Sequence, residues 1–119
     1  MVFFKRGESY EMTRITGSHI TQSNFLGIVF DNKNNSSDEI EIIVKHFPGI
    51  KEEKVRTSKK EVLKQVLTGL KSANQALETN YKLSKIYFSP FESPDYSVYS
   101  VITSRLIHHY HKGGEFKEI

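Results

Sequence analysis

The apolar residues of this chain change period near Ser58, and that change limits the folds open to it. Before Ser58 they recur every second residue or fill short continuous runs, as strands require; from Ser58 to near Asn80 they recur at three-to-four-residue helical spacing. Ser58-Lys59-Lys60-Glu61 marks the switch. It has the spacing of a capping box, in which the serine hydroxyl accepts from the amide of Glu61 and the glutamate reaches back. On a helical wheel Leu63, Val66, Leu67, Leu70, Ala73, Leu77 and Tyr81 share one face, with Lys60, Lys64, Lys71 and Gln75 opposite. The spacing predicts a helix from Ser58 to near Asn80, lying across a sheet. Gly69, in its middle, costs about 1 kcal/mol relative to alanine and predicts a weak or kinked point.

Upstream of the switch, residues 1–15 read as one strand at or near an edge, or as two broken at Gly7, and residues 17–23 as a turn-rich link. Phe25-Leu26-Gly27-Ile28-Val29-Phe30 is apolar on both faces and predicts a central strand. Gly27 there marks either a bulge or a close approach by another element. Residues 32–37 form a polar turn. The next strand puts Ile40, Ile42 and Val44 on the core face and stops at Pro48-Gly49.

Downstream, Leu83 to Phe88 is a short strand, and Ser93, Pro94 and Asp95 suit the cap and first positions of a second helix. That helix runs to about Lys112, with Gly113-Gly114 ending it. Its buried seam is Val98, Tyr99, Ile102, Leu106 and His109, with His108 and His111 facing away. The expected architecture is a single α+β domain over residues 1–119. It has an antiparallel or mixed sheet of about four strands carrying two helices, in the order β-β-β-α-β-α. A chain of this length can bury roughly 65–70% of its unfolded surface around one core.

Composition narrows the chemistry. With no cysteine, disulfides, cysteine-rich zinc sites and thiol nucleophiles are all excluded. With 37% hydrophobic and 26% charged residues the chain reads as a globular domain, and it has no apolar run near the about 18 residues of a membrane span. Lys5 and Arg6 follow the short apolar piece at the start, the wrong order for a secretory signal, so a cytoplasmic location is expected and no membrane partner.

His108, His109 and His111 are the obvious candidates for a metal site or for acid/base work. Two histidines three apart can reach one metal, but His109 points away from their face. His19, His46 or a carboxylate would have to supply a third ligand. General acid/base chemistry would pair a histidine with Glu92 or Asp95 in a cleft that no spacing implies. No serine elbow or phosphate-cradling glycine loop occurs. The expectation is therefore a protein that is not an enzyme, with no metal and no cofactor.

Two binding surfaces remain. Lys82, Lys85, Tyr87 and Phe88 mix cations and aromatics on one strand, as single-stranded nucleic acid would require, and Arg56, Lys59 and Lys60 could add to it. Acidic residues interrupt every basic run, which makes this the less favoured reading. The second is aromatic and acidic: Tyr87, Phe91, Glu92, Asp95 and Tyr96 surround a two-proline turn, and exposed aromatics beside carboxylates suit a protein interface.

The cysteine-free α+β layout, with Asn24-Phe25-Leu26-Gly27-Ile28-Val29-Phe30 and Ser97-Val98-Tyr99-Ser100-Val101-Ile102 in it, resembles the immunity proteins of bacterial contact-dependent growth inhibition systems. The resemblance is one of layout over the whole chain and carries over no functional residue. It implies a non-enzymatic protein that neutralises a cognate toxin, a nuclease domain, by tight binding. Immunity proteins to basic nucleases are often acidic, whereas this chain has a net charge of +3. Complementarity would then be local, on Asp31, Asp38, Glu39 and Glu41 or on Glu92 and Asp95.

Overall fold

A computed structural model describes residues 3–15, 23–31, 40–45, 58–89 and 97–119. In chain order the elements are β1 (Phe3–Arg6), β2 (Ser9–Ile15), β3 (Ser23–Phe30), β4 (Glu41–Val44), α1 (Lys59–Leu77), β5 (Leu83–Phe88), α2 (Val98–His111) and β6 (Lys117–Glu118). The strands form one mixed sheet in the order β4-β5-β3-β2-β1-β6. The α+β class is as expected, but among the described residues the sheet has six strands rather than about four.

Both additional strands have local causes. Residues 3–15 split at Gly7, which takes φ 59° at the first central position of the turn joining Arg6 to Ser9. A two-residue hairpin of type II′ carries glycine at that position. At the other end, Lys117 and Glu118 pair in parallel with Phe4 and Lys5, and the Ile119 amide donates to the Lys5 carbonyl at 3.0 Å. A two-residue strand has no periodicity to read.

Both edge strands, β4 and β6, run parallel to their neighbours, while β5, β3, β2 and β1 are antiparallel in sequence. The unit β4-α1-β5 is therefore a parallel crossover, which needs a long connection such as a helix. Between β5 and β6, α2 runs back over β3 and β2, and α1 packs closely along α2. The core between the layers contains Met12, Leu26, Ile28, Val62, Val66, Ile86, Phe88, Tyr99, Ile102 and Leu106, all fully buried.

At the helix–helix contact Gly69 is not a weakness. A Cβ there would strike the Ser100 carbonyl oxygen and come within 2.9 Å of Thr103 Cβ. The missing side chain lets the two backbones approach. The same contact turns the buried face of α1 toward Val62, Val66, Gly69 and Ala73 and leaves Leu67, expected on the core side, 43% exposed.

The helix ends show which caps are local and which are not. Ser58 Oγ accepts from the Glu61 amide at 3.1 Å, as the capping box requires. Glu61 does not return the bond in kind: its carboxylate accepts from Gln65 Nε2 at 3.1 Å, and Gln65 Oε1 accepts from the Tyr99 amide at 3.1 Å. A side chain of α1 thus caps α2. Ser97, the residue before α2, is left-handed at φ 60° and makes no side-chain cap, so α2 starts at Val98. The expected cap at Ser93 to Asp95 lies outside the described residues. Similarly, α1 stops at Leu77 rather than near Asn80, because Glu78 turns left-handed and Asn74 takes over the following residues. Asn74 Oδ1 accepts from the Tyr81 amide at 3.0 Å and the Thr79 hydroxyl at 2.9 Å, while Nδ2 donates to the Tyr81 carbonyl at 3.1 Å. The end of α2 follows expectation, with Gly113 left-handed at φ 73°.

Candidate functional site

Alternation along the strands sends Met12, Leu26, Ile28, Ile86 and Phe88 toward the helices and places Ser9, Glu11, Phe25, Gly27, Val29, Lys85 and Tyr87 on the other face. The pairing register lines these up in rows across the sheet. One row is Glu11, Gly27, Tyr87 and Ile43; the next is Ser9, Val29, Lys85 and Glu41.

Glu11 is the centre of this second face. It is only 3% exposed, and a buried carboxylate is costly unless paired and hydrogen-bonded. Its partners come from three places. Ser9 Oγ donates to Oε2 at 3.3 Å, Lys45 Nζ reaches the same oxygen at 3.5 Å, and Arg6 Nε lies 3.4 Å from Oε1. Lys45 arrives from the far side of the sheet, passing over the Phe25 ring at 5.1 Å. Room for the carboxylate depends on Gly27: a Cβ there would lie 2.8 Å from Ser9 Oγ, 3.3 Å from Glu11 Cγ and 3.4 Å from Tyr87 Cβ. Gly27 therefore marks a close approach; the irregularity in its strand falls at Val29 and Phe30 instead.

A hydroxyl beside a carboxylate has the composition of a nucleophile–base pair. Here Ser9 and Glu11 are both buried, at 5% and 3% exposure, and Glu11 is already held by two cations. The arrangement fits a structural anchor that ties β2 to β4 across the intervening strands.

The candidate partner-binding residues fall at two separate places. Asp31 follows β3, with its amide donating to the Lys82 carbonyl at 2.8 Å, and Glu41 opens β4 in register with Lys85. Both stand at the end of the sheet where β5 begins, flanking the connection that carries Asp38 and Glu39. Tyr87 lies near the opposite end of β5, where the connection with Phe91, Glu92, Asp95 and Tyr96 departs. A six-residue strand separates the two ends by about 20 Å. Asp38, Glu39, Phe91, Glu92, Asp95 and Tyr96 lie outside the described residues. Arg56 does too.

The basic-aromatic strand divides between faces. Phe88 is fully buried against the helices, whereas Lys85 and Tyr87 point the other way. Phe88 is therefore not available to stack on a base.

The histidines divide as well. His109 is half-buried, stacks face to face on Phe3 at 3.9 Å and 8°, and meets Phe116 edge-on. Its Nε2 donates to the Glu115 carbonyl at 2.7 Å, which pins the chain after α2 against β1. His111 is exposed, as expected, and bonds through Nδ1 with the Tyr81 hydroxyl at 2.8 Å. Among the described residues no group of three potential metal ligands comes together. Around these histidines Tyr10, Phe30, Tyr81, Tyr110 and Phe116 form a continuous aromatic network, with Phe30 and Tyr110 stacked at 4.3 Å. No helix among the described residues is long and apolar enough to cross a membrane.

Comparison with protein-family models, with curated proteins and with solved structures found no match to this chain.

Proposed function

We propose that this protein is a non-enzymatic binding module of the bacterial cytoplasm, an immunity protein that neutralises the nuclease domain of a contact-dependent growth inhibition toxin. The observation that carries the reading is the position of Asp31 and Glu41. The end of β3 and the start of β4 stand at one end of the sheet, so the carboxylates of Asp31 and Glu41 flank a connection that adds Asp38 and Glu39. In a chain of net charge +3, four acidic side chains thus fall on or between two neighbouring strand ends, with Lys82 and Lys85 beside them, and such a grouping can steer a cationic partner. The internal pairing of Glu11 supports the same reading, because the most buried carboxylate among the described residues serves the fold.

The test starts from the gene immediately upstream: where it encodes the C-terminal end of a very large secreted protein, that terminal domain is co-expressed with this chain, and an unrelated neighbour counts against the reading. The expected result is rescue of growth and a stable complex of the purified partners. Neutralising the acidic region with Asp31→Asn, Asp38→Asn and Glu39→Gln together is expected to slow association about tenfold or more at low salt, with less effect at high salt. Unimpaired toxicity in the presence of folded protein would overturn the reading.

A further inference from the structure

One edge of the sheet, at β4, leaves backbone groups without a partner among the described residues. The Lys45 amide donates to the Phe88 carbonyl at 2.8 Å, and Val44 stands in register with Phe88 in the parallel ladder of β4 and β5. Backbone groups alternate from side to side along a strand. Ile43 and Lys45 therefore aim their N–H and C=O groups at β5, while Ile42 and Val44 aim theirs away from the sheet. Among the described residues no strand lies beyond β4, and no hydrogen bond reaches the outward groups of Ile42 and Val44. Such an edge is a template for a further strand.

The side chains say which strand fits. Glu41 and Lys45 lie four apart on the same face, one on each side of Ile43. We propose that β4 pairs antiparallel with β4 of a second copy of this chain, about a two-fold axis through Ile43, joining the two sheets into one. In this register Ile42 stands opposite Val44 of the second copy, and the outward groups of both meet as hydrogen-bonded pairs. Glu41 then faces Lys45 of the second copy, and the two-fold repeats the pair on the other side of the axis. Sliding the strands by two residues either way sets a charge opposite Ile43, Lys45 in one direction and Glu41 in the other, and only the second slide offers Lys45 another carboxylate, that of Glu39. Lys45 keeps its contact with Glu11, and Glu41 of the second copy adds a second carboxylate to it. On the helix side, Ile42 and Val44 are half-buried and packed on the core, so pairing extends the core across the axis. Edge strands that guard against association use charges that find no match in a self-pair; here the signs match.

Two four-residue strands make a small interface. A dissociation constant on the order of 10–100 μM is expected. Sedimentation equilibrium on the whole chain from about 5 to about 500 μM should show the mass rising from 13.8 kDa toward twice that value. Hydrogen exchange at the two ends of that range should show the amides of Ile42 and Val44 slowed about threefold or more at the higher concentration. Glu41→Lys, which sets like charges together on both sides of the axis, should weaken the dimer about tenfold or more. A mass of 13.8 kDa throughout overturns the proposal. So does a dimer in which the exchange of Ile42 and Val44 is unchanged, or one that a folded Glu41→Lys chain forms equally well. If Glu41→Lys does not fold, the wild-type exchange comparison decides alone. Toxin binding is read separately, through the neutralised acidic region, which leaves Glu41 intact.

Discussion

Gly27 of β3 stands directly across from Glu11 of β2, and the space a side chain would take at Gly27 is filled by Ser9 Oγ and Glu11 Cγ. Gly27→Ala is expected to destabilise the protein by about 1–3 kcal/mol, as overpacking does, measured by urea unfolding. Adding Ser9→Ala should recover about 1 kcal/mol by removing the nearest obstacle. A Gly27→Ala protein as stable as the parent would show that the row is loose.

Lys45 and Glu11 should respond unequally to removal. Lys45→Met leaves a carboxylate that is 3% exposed with one cation fewer, at an expected cost of about 1–3 kcal/mol. Glu11→Gln leaves two cations whose side chains are 24% and 51% exposed and can turn to water, so its cost should be the smaller of the two. Chemical denaturation of both variants checks the order. Equal costs would mean that the carboxylate reaches solvent.

At Gly69 two effects oppose each other. An exposed helical glycine gains about 1 kcal/mol when changed to alanine. Here the new methyl group meets the Ser100 carbonyl and the Thr103 side chain, so Gly69→Ala should give a net loss of about 1–3 kcal/mol. Thermal unfolding reads the sign directly, and a raised Tm would rule out the close helix contact.

Gln65 links the helices without being buried. Gln65→Ala removes the acceptor for the Tyr99 amide, and the expected loss is about 0.5–2 kcal/mol, the range for a helix cap. Hydrogen exchange should speed up at Tyr99 while the first turn of α1, held by Ser58, keeps its protection. Unchanged exchange at Tyr99 would assign the cap elsewhere.

The three glycines show how much could be read in advance. Gly7 was legible as a break, since a hairpin turn is a local event that glycine permits. Gly27 was legible as a special position within a strand, either a bulge or a close approach, and only the neighbours Ser9, Glu11 and Tyr87 decided for the second. Gly69 read as a weak point because propensity counts only the helix's own backbone, and the second helix that needs the gap lies more than thirty positions further on. Of the candidate site, the sequence carried the acidic residues but not their arrangement. Asp31 and Glu41 share one end of the sheet only because β3 and β4 flank β5, and the aromatic turn leaves β5 from the other end. Strand alternation puts Glu11 on the face opposite Met12, but nothing local indicates that its carboxylate is buried.

Interactions within a few residues were enough to specify the α+β class, the Ser58 start of α1, the central place of β3 and the stop at Gly113. Each depends on backbone geometry, capping or period, which neighbouring residues settle among themselves. Strand order, the parallel edges at β4 and β6, the capping of α2 by Gln65 and the burial of Glu11 beneath Lys45 were decided by tertiary structure. These join positions far apart in the chain, and their energies come from surfaces that meet only when the sheet and both helices are in place.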